Sequence, residues 1–335
     1  MSGKSSNTPY DDVFRTLLND CSSLIIPVIN EVFGEKYRGD EEIIFYPNEH
    51  FIKEQDTSTK EKITDSCFQI IGIRKKKYHL ECQSTADSTM IIRMFEYDTQ
   101  IALDGSEIVQ GTLILTFPHS AILYLRHTRK TPDTMTVEIR TPGGNVTYEI
   151  PVMKTQQYTL NDIFERHLLF LIPFYIFTHE SRFQEYESDS AKREELRMEF
   201  EEILTRLEDL IEKGVINEYV KCTIVDMSQK VIEKITAKYA NVRKEVTSVM
   251  GGKILEYEAK AILQSGISQG INKGINTGKI EENITLIMEF LKDLGEIPDE
   301  LYRRIQEEKN LDVLRSWLKM ASRAQSVEEF QRWIG

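Results

Sequence analysis

The sequence predicts a mixed α/β core over residues 1–185, followed by an all-α extension over residues 186–335. Three observations lead there. Between about residues 42 and 150, short apolar runs alternate with polar residues at period two, the signature of strands. Helical stripes interrupt those runs, so the two element types are interleaved. Beyond about residue 187 the strand pattern all but vanishes and charged, helically periodic sequence takes over.

Taken in order, residues 9–34 carry Val13, Phe14, Leu17, Leu18, Ile25, Val28 and Ile29 at helical spacing. A helix is expected there, interrupted near Pro27 and ended by Gly34. EIIFY (42–46) and a longer run from Ile63 to Ile73 read as strands, followed by the basic cluster Arg74–Lys77. In YHLECQS (78–84), Tyr78, Leu80 and Cys82 alternate with His79, Glu81 and Gln83. One face of that strand belongs in a core, and the other carries three polar groups that need partners or a purpose.

STMIIRMFEYDTQIAL (88–103) reads as a helix. TLILTF, AILYLRH, TMTVEIR and NVTYEI then read as strands, and Pro-Gly-Gly-Asn between the last two predicts a hairpin. A largely buried helix with a kink or start at Pro173 is expected over 160–182, then charged helices over 189–248 and short amphipathic ones over 280–335. Gly266, Gly270, Gly274 and Gly278 punctuate a helix at about 255–280. Each interior glycine costs a helix about 1 kcal/mol relative to alanine. That segment is therefore either a semi-flexible connector or a close-packing stripe, the latter pairing two protomers through their C-terminal helices.

A formal net charge of -12 argues against a polybasic, non-specific nucleic-acid binder. It leaves room for an enzyme acting on nucleic acid through a local basic surface and a metal. Arg74–Lys77 and the turn Arg126, Arg129, Lys130 are the best phosphate contacts on offer, and no base-reading module is evident. The four cysteines lack CxxC spacing, so they read as reduced core residues. The longest apolar run, LLFLIPFYIF (168–177), is too short for a bilayer that needs about twenty residues. MSGKSSNTPYDD has no apolar signal region, and a soluble, cytoplasmic chain without membrane contact is expected.

The chemistry centres on Asp65 and Glu81. A turn near residues 73–75 places Asp65 opposite a residue between 81 and 85, bringing its carboxylate towards Glu81 and Gln83. Two carboxylates brought together repel unless protonated or bridged by a cation, and oxygen-rich clusters suit Mg²⁺, with Mn²⁺ as the alternative. Spacing alone also describes a solvated sheet face, the commoner fate of acidic pairs on neighbouring strands.

Asp65…Glu81-Cys82-Gln83 resembles the D…ExK signature of PD-(D/E)XK nucleases, in its ExQ form. KITDSCF, YHLECQS and the following Arg93…Tyr97 resemble the recombination-promoting nuclease family, also labelled PD-(D/E)XK family transposases. PYDDVFRTLL is similar to that family's opening helix, and the glycine-punctuated segment to its tails. The likeness covers roughly residues 9–180 with motif support. It implies a restriction-endonuclease-like core and a metal-dependent DNA endonuclease that promotes recombination or serves mobile elements. Asp65 and Glu81 would hold the metal.

Gln83 stands where the superfamily commonly has Lys. An amide cannot carry a full proton, though it can orient water or a phosphate oxygen. Lys62 could substitute electrostatically, or be an exposed strand-end lysine. Arg93 and Tyr97, four apart on one helical face, would back the metal or contact phosphate. The plain alternative is an arginine stacked on a tyrosine. His79 shares the face of Glu81 and could support it, or be simply structural. The rival to an enzyme is a catalytically silent nuclease fold used for DNA binding or oligomerisation.

Overall fold

The computed structural model describes residues 9–250 apart from 47–48, 54–58, 64–65, 73–74, 86 and 88, and residues 280–334 apart from 281–282, 293, 296, 309 and 325. Asp65, Arg74 and the four glycines of the stripe therefore lie outside the described residues. The chain forms two compact units, Met1–Ile254 and Leu255–Gly335. The boundary expected near 185 marks the end of the sheet-bearing sequence and falls inside the first unit.

That unit opens with α1 (Pro9–Asp20) and α2 (Ile25–Phe33), separated by a 3₁₀ turn at Ser22–Leu24. The break thus falls at the serines rather than at Pro27. Pro27 occupies the first turn of α2, where its missing N–H has no intrahelical partner to lose. Gly34 ends α2 in the left-handed conformation, φ 66°.

Six strands form the central sheet: β1 (Glu42–Phe45), β4 (Ser66–Ile71), β5 (Lys75–Gln83), β8 (His119–Tyr124), β10 (Gly144–Lys154) and β9 (Thr134–Thr141), in that spatial order. The run expected from Ile63 to Ile73 divides. Thr59–Ile63 (β3) pairs with Glu49–Lys53 (β2) in a separate ribbon, and only β4 joins the sheet. β4 and β5 pair antiparallel from Ser66↔Leu80 to Ile71↔Lys75. The chain then crosses through α3 (Met90–Asp104) and returns as β8, parallel to β5. β9 and β10 form the hairpin expected at Pro-Gly-Gly-Asn.

The alternation within β5 is what positions the site. Tyr78, Leu80 and Cys82 face one side, with the Phe33 ring of α2 against Tyr78 at 5.3 Å. His79, Glu81 and Gln83 face the other, beneath α3. There Met90 and Met94 pack with Ile122, Tyr124, Ile150 and Val152. Both faces are covered, so residues 78–82 are buried throughout, polar ones included. Cys21, Cys67 and Cys82 are buried outside any disulfide, as reduced core residues should be, while Cys222 is only half-buried.

Between α3 and β8, TLILTF supplies only a three-residue strand, β7 (Thr112–Ile114), paired with β6 (Glu107–Val109). Gln110 and Gly111 both take positive φ, as a tight two-residue hairpin requires. The helix expected over 160–182 is α4 (Leu160–Glu165) followed by a 3₁₀ segment, Leu169–Arg182. Pro173 cannot donate and crowds the carbonyl four residues back, so an uninterrupted α-helix is excluded. Phe183–Ser188 (α5), Ser190–Glu212 (α6), Glu218–Ile235 (α7) and Ala240–Met250 (α8) complete this unit, with α7 packed on α1 and the 3₁₀ segment.

Among the described residues of the second unit, helices cover 283–292, Asp299–Glu307, Leu311–Ala321 and Val327–Ile334. Their apolar stripes close on a core of their own that includes Ile287, Leu291, Ile305, Leu314 and Phe330. No described helix is long and apolar enough to cross a membrane.

Candidate active site

Glu81 lies in the middle of the sheet, 3% exposed, with His79 and Asp98 fully buried beside it. His79 Nε2 is 3.1 Å from Oε1 of Glu81, and Nδ1 is 2.7 Å from Oδ1 of Asp98. Asp98 comes from the buried face of α3 and also accepts from Ser120 Oγ at 2.6 Å and the Tyr148 hydroxyl at 3.4 Å. The Tyr97 ring meets the His79 ring edge to face at 5.9 Å.

Burial opposes a charge on His79, yet hydrogen bonds and attraction from Asp98 and Glu81 outweigh it and push its pKa up to about 9. The ring is therefore an imidazolium at neutral pH, a donor at both nitrogens. It cannot serve as a general base there, but it can hold a carboxylate in place.

Gln83 ends β5 beside Tyr124, its backbone partner on β8, and is partly exposed. Its side-chain amide makes no hydrogen bond among the described residues. Arg93 lies on α3 near this strand end, its charge acting on both Asp87 and Tyr124. Its Nη2 is 2.7 Å from Met90 Sδ, while Nε is buried without a hydrogen-bond partner among the described residues.

Of the residues singled out in the sequence, His79, Glu81 and Tyr97 come together directly, with Gln83 and Arg93 towards the open end of the strands. Asp65 lies outside the described residues. Lys62 is on β3, opposite His50 in the ribbon. Among the described residues no group of three or more His, Cys, Asp or Glu side chains is arranged to hold a metal ion. Asp98, Ser120 and Tyr148 are the members that sequence reading missed. Asp98 had a signal: it is the one acid in the stripe Met90, Met94, Asp98, Ile101.

The basic turns are largely committed elsewhere. Arg126, expected at phosphate, grips Glu180 with two nitrogens, donates to the Ser84 carbonyl at 3.2 Å and lies over the Phe177 ring at 4.6 Å. Lys76 pairs with Glu35, and Lys77 lies over the Tyr46 ring. Arg129 and Lys130 remain exposed.

No family model, no curated protein and no solved structure matches this chain.

Proposed function

We propose that the first unit is a Mg²⁺-dependent DNA endonuclease of the PD-(D/E)XK type. The observation that carries this reading is Glu81, a buried carboxylate at the ExQ position of β5, hydrogen-bonded to His79. A strand hairpin leading into a crossover helix is also the setting that the motif resemblance implies. The donor chemistry fits: Mg²⁺ accepts one or two protein carboxylates and keeps waters, so no larger ligand set is needed. Glu81 and Asp65 would hold the ion, which when bound lowers the pKa of a coordinated water and offsets phosphate charge.

The chain's own residues do the rest. Gln83, with its amide uncommitted, orients the attacking water or a phosphate oxygen. Arg93 offers a guanidinium whose Nε–H has yet to find an acceptor, and charge-assisted hydrogen bonds to phosphate are among the strong ones. His79 holds Glu81 without competing as a base. A role in DNA recombination comes with the resemblance.

One observation favours a second reading, a catalytically silent scaffold. Glu81 is almost wholly buried and one of its oxygens is engaged by His79. Calorimetry with Mg²⁺ or Mn²⁺ tests the site. The wild type should bind, and Glu81→Ala and Asp65→Ala should each abolish binding. Unchanged binding in both variants removes the site.

A further inference from the structure

The α3 carboxylate has no part in the chemistry above, although it is the most heavily engaged group near Glu81. Asp98 is fully buried within an otherwise apolar stripe and takes hydrogen bonds from three strands: His79 on β5, Ser120 on β8 and Tyr148 on β10. A buried carboxylate is costly unless it is paired, and an apolar residue would fill such a stripe with no partner required. What Asp98 does beyond packing is hold His79.

We propose that Asp98 is a positioning residue for Glu81, acting through His79; this rests on the nuclease reading of the site. The hydrogen-bond logic follows from the two partners of the ring. Both are carboxyl groups, and each ring nitrogen faces one of them within hydrogen-bond distance. With Nδ1–H held by Asp98 at 2.7 Å, Nε2–H points at Oε1 of Glu81 at 3.1 Å. Glu81 is thereby presented to the metal in one orientation, with one oxygen committed to the imidazole. Ser120 and Tyr148 in turn fix Asp98. Groups that orient metal ligands from behind commonly affect affinity 10–100-fold when removed.

Without the carboxylate of Asp98, the ring loses the partner that holds Nδ1 at 2.7 Å, and nothing then fixes the ring plane that aims Nε2 at Glu81. Glu81, which meets the ring through Oε1 at 3.1 Å, then loses its fixed orientation. The test uses the full chain as wild type, Asp98→Asn and Ser120→Ala. Mn²⁺ affinity is measured by calorimetry, the His79 ring by long-range ¹H–¹⁵N spectra, and folding by thermal melts. Asp98→Asn should stay folded, bind Mn²⁺ about 10–100-fold more weakly and shift the His79 ring nitrogens. Ser120→Ala, which removes one donor from Asp98, should show a smaller loss of the same kind and serves as the variant if Asp98→Asn fails to fold. A folded Asp98→Asn that binds as the wild type does, with ring signals unmoved, overturns the positioning role alone. A wild type that takes up no metal overturns the nuclease reading and the positioning role together.

Discussion

Among single residues, Gln83 is the one at which the endonuclease reading predicts that metal binding and chemistry separate. Its amide is uncommitted at the end of β5, so Gln83→Ala should keep metal affinity nearly intact and lose cleavage. Gln83→Lys should retain or raise cleavage. A Gln83→Ala protein as active as the wild type would take the amide out of the mechanism. His79 gives a pH dependence whose sign follows from its raised pKa. The folded value, about 9, lies above the ordinary 6.5. The stabilisation it brings is complete below about pH 6.5 and is lost as pH rises through 9. Melting temperature, taken as wild type minus His79→Gln, should therefore fall between those values; a difference that grows with pH contradicts the imidazolium. The shared face of His79 and Glu81 was legible from alternation alone. The partner of His79 was not, because a contact between a strand and its crossover helix depends on tertiary packing. A lone acid among Met90, Met94 and Ile101 was the available hint.

At the scale of elements, periodicity located the strands and helices, while their breaks followed local chemistry that periodicity does not carry. Pro27 sits harmlessly in a first helical turn, whereas Pro173 lies where an α-helix would need its N–H. The run from 63 to 73 looked continuous because apolar content does not distinguish one strand from two that join different sheets. Charge was the least legible property, since a basic residue beside a turn can face phosphate or a neighbouring acid. Arg126 does the latter, joining the end of β8 to the 3₁₀ segment through Glu180. Arg126→Met should accordingly cost about 1–3 kcal/mol in urea unfolding, as loss of charge-assisted hydrogen bonds does when they are partly exposed. Arg129→Ala, on an exposed turn, should stay within about 0.5 kcal/mol. Equal costs for the two would contradict the structural assignment of Arg126.

For the whole molecule, the periodicity of the sequence announced a mixed α/β part and an all-α part. It did not announce that α6, α7 and α8 belong with the sheet-bearing unit. Amphipathic stripes declare that a helix has a buried face and say nothing of which neighbour covers it. α7 covers α1 and the 3₁₀ segment, whereas the helices after residue 280 close on a core of their own. On the endonuclease reading, a net charge of -12 leaves DNA contact to a few cations and a metal, so activity should depend steeply on divalent ions. The most direct measurement is plasmid cleavage by the full chain in Mg²⁺, Mn²⁺ or EDTA, with wild type and Glu81→Ala side by side. The wild type should convert supercoiled plasmid to nicked or linear forms with either metal and leave it intact in EDTA, and Glu81→Ala should do nothing in any condition. A wild type that leaves the plasmid supercoiled with both metals, or a Glu81→Ala protein that cuts as well as the wild type, would contradict the endonuclease.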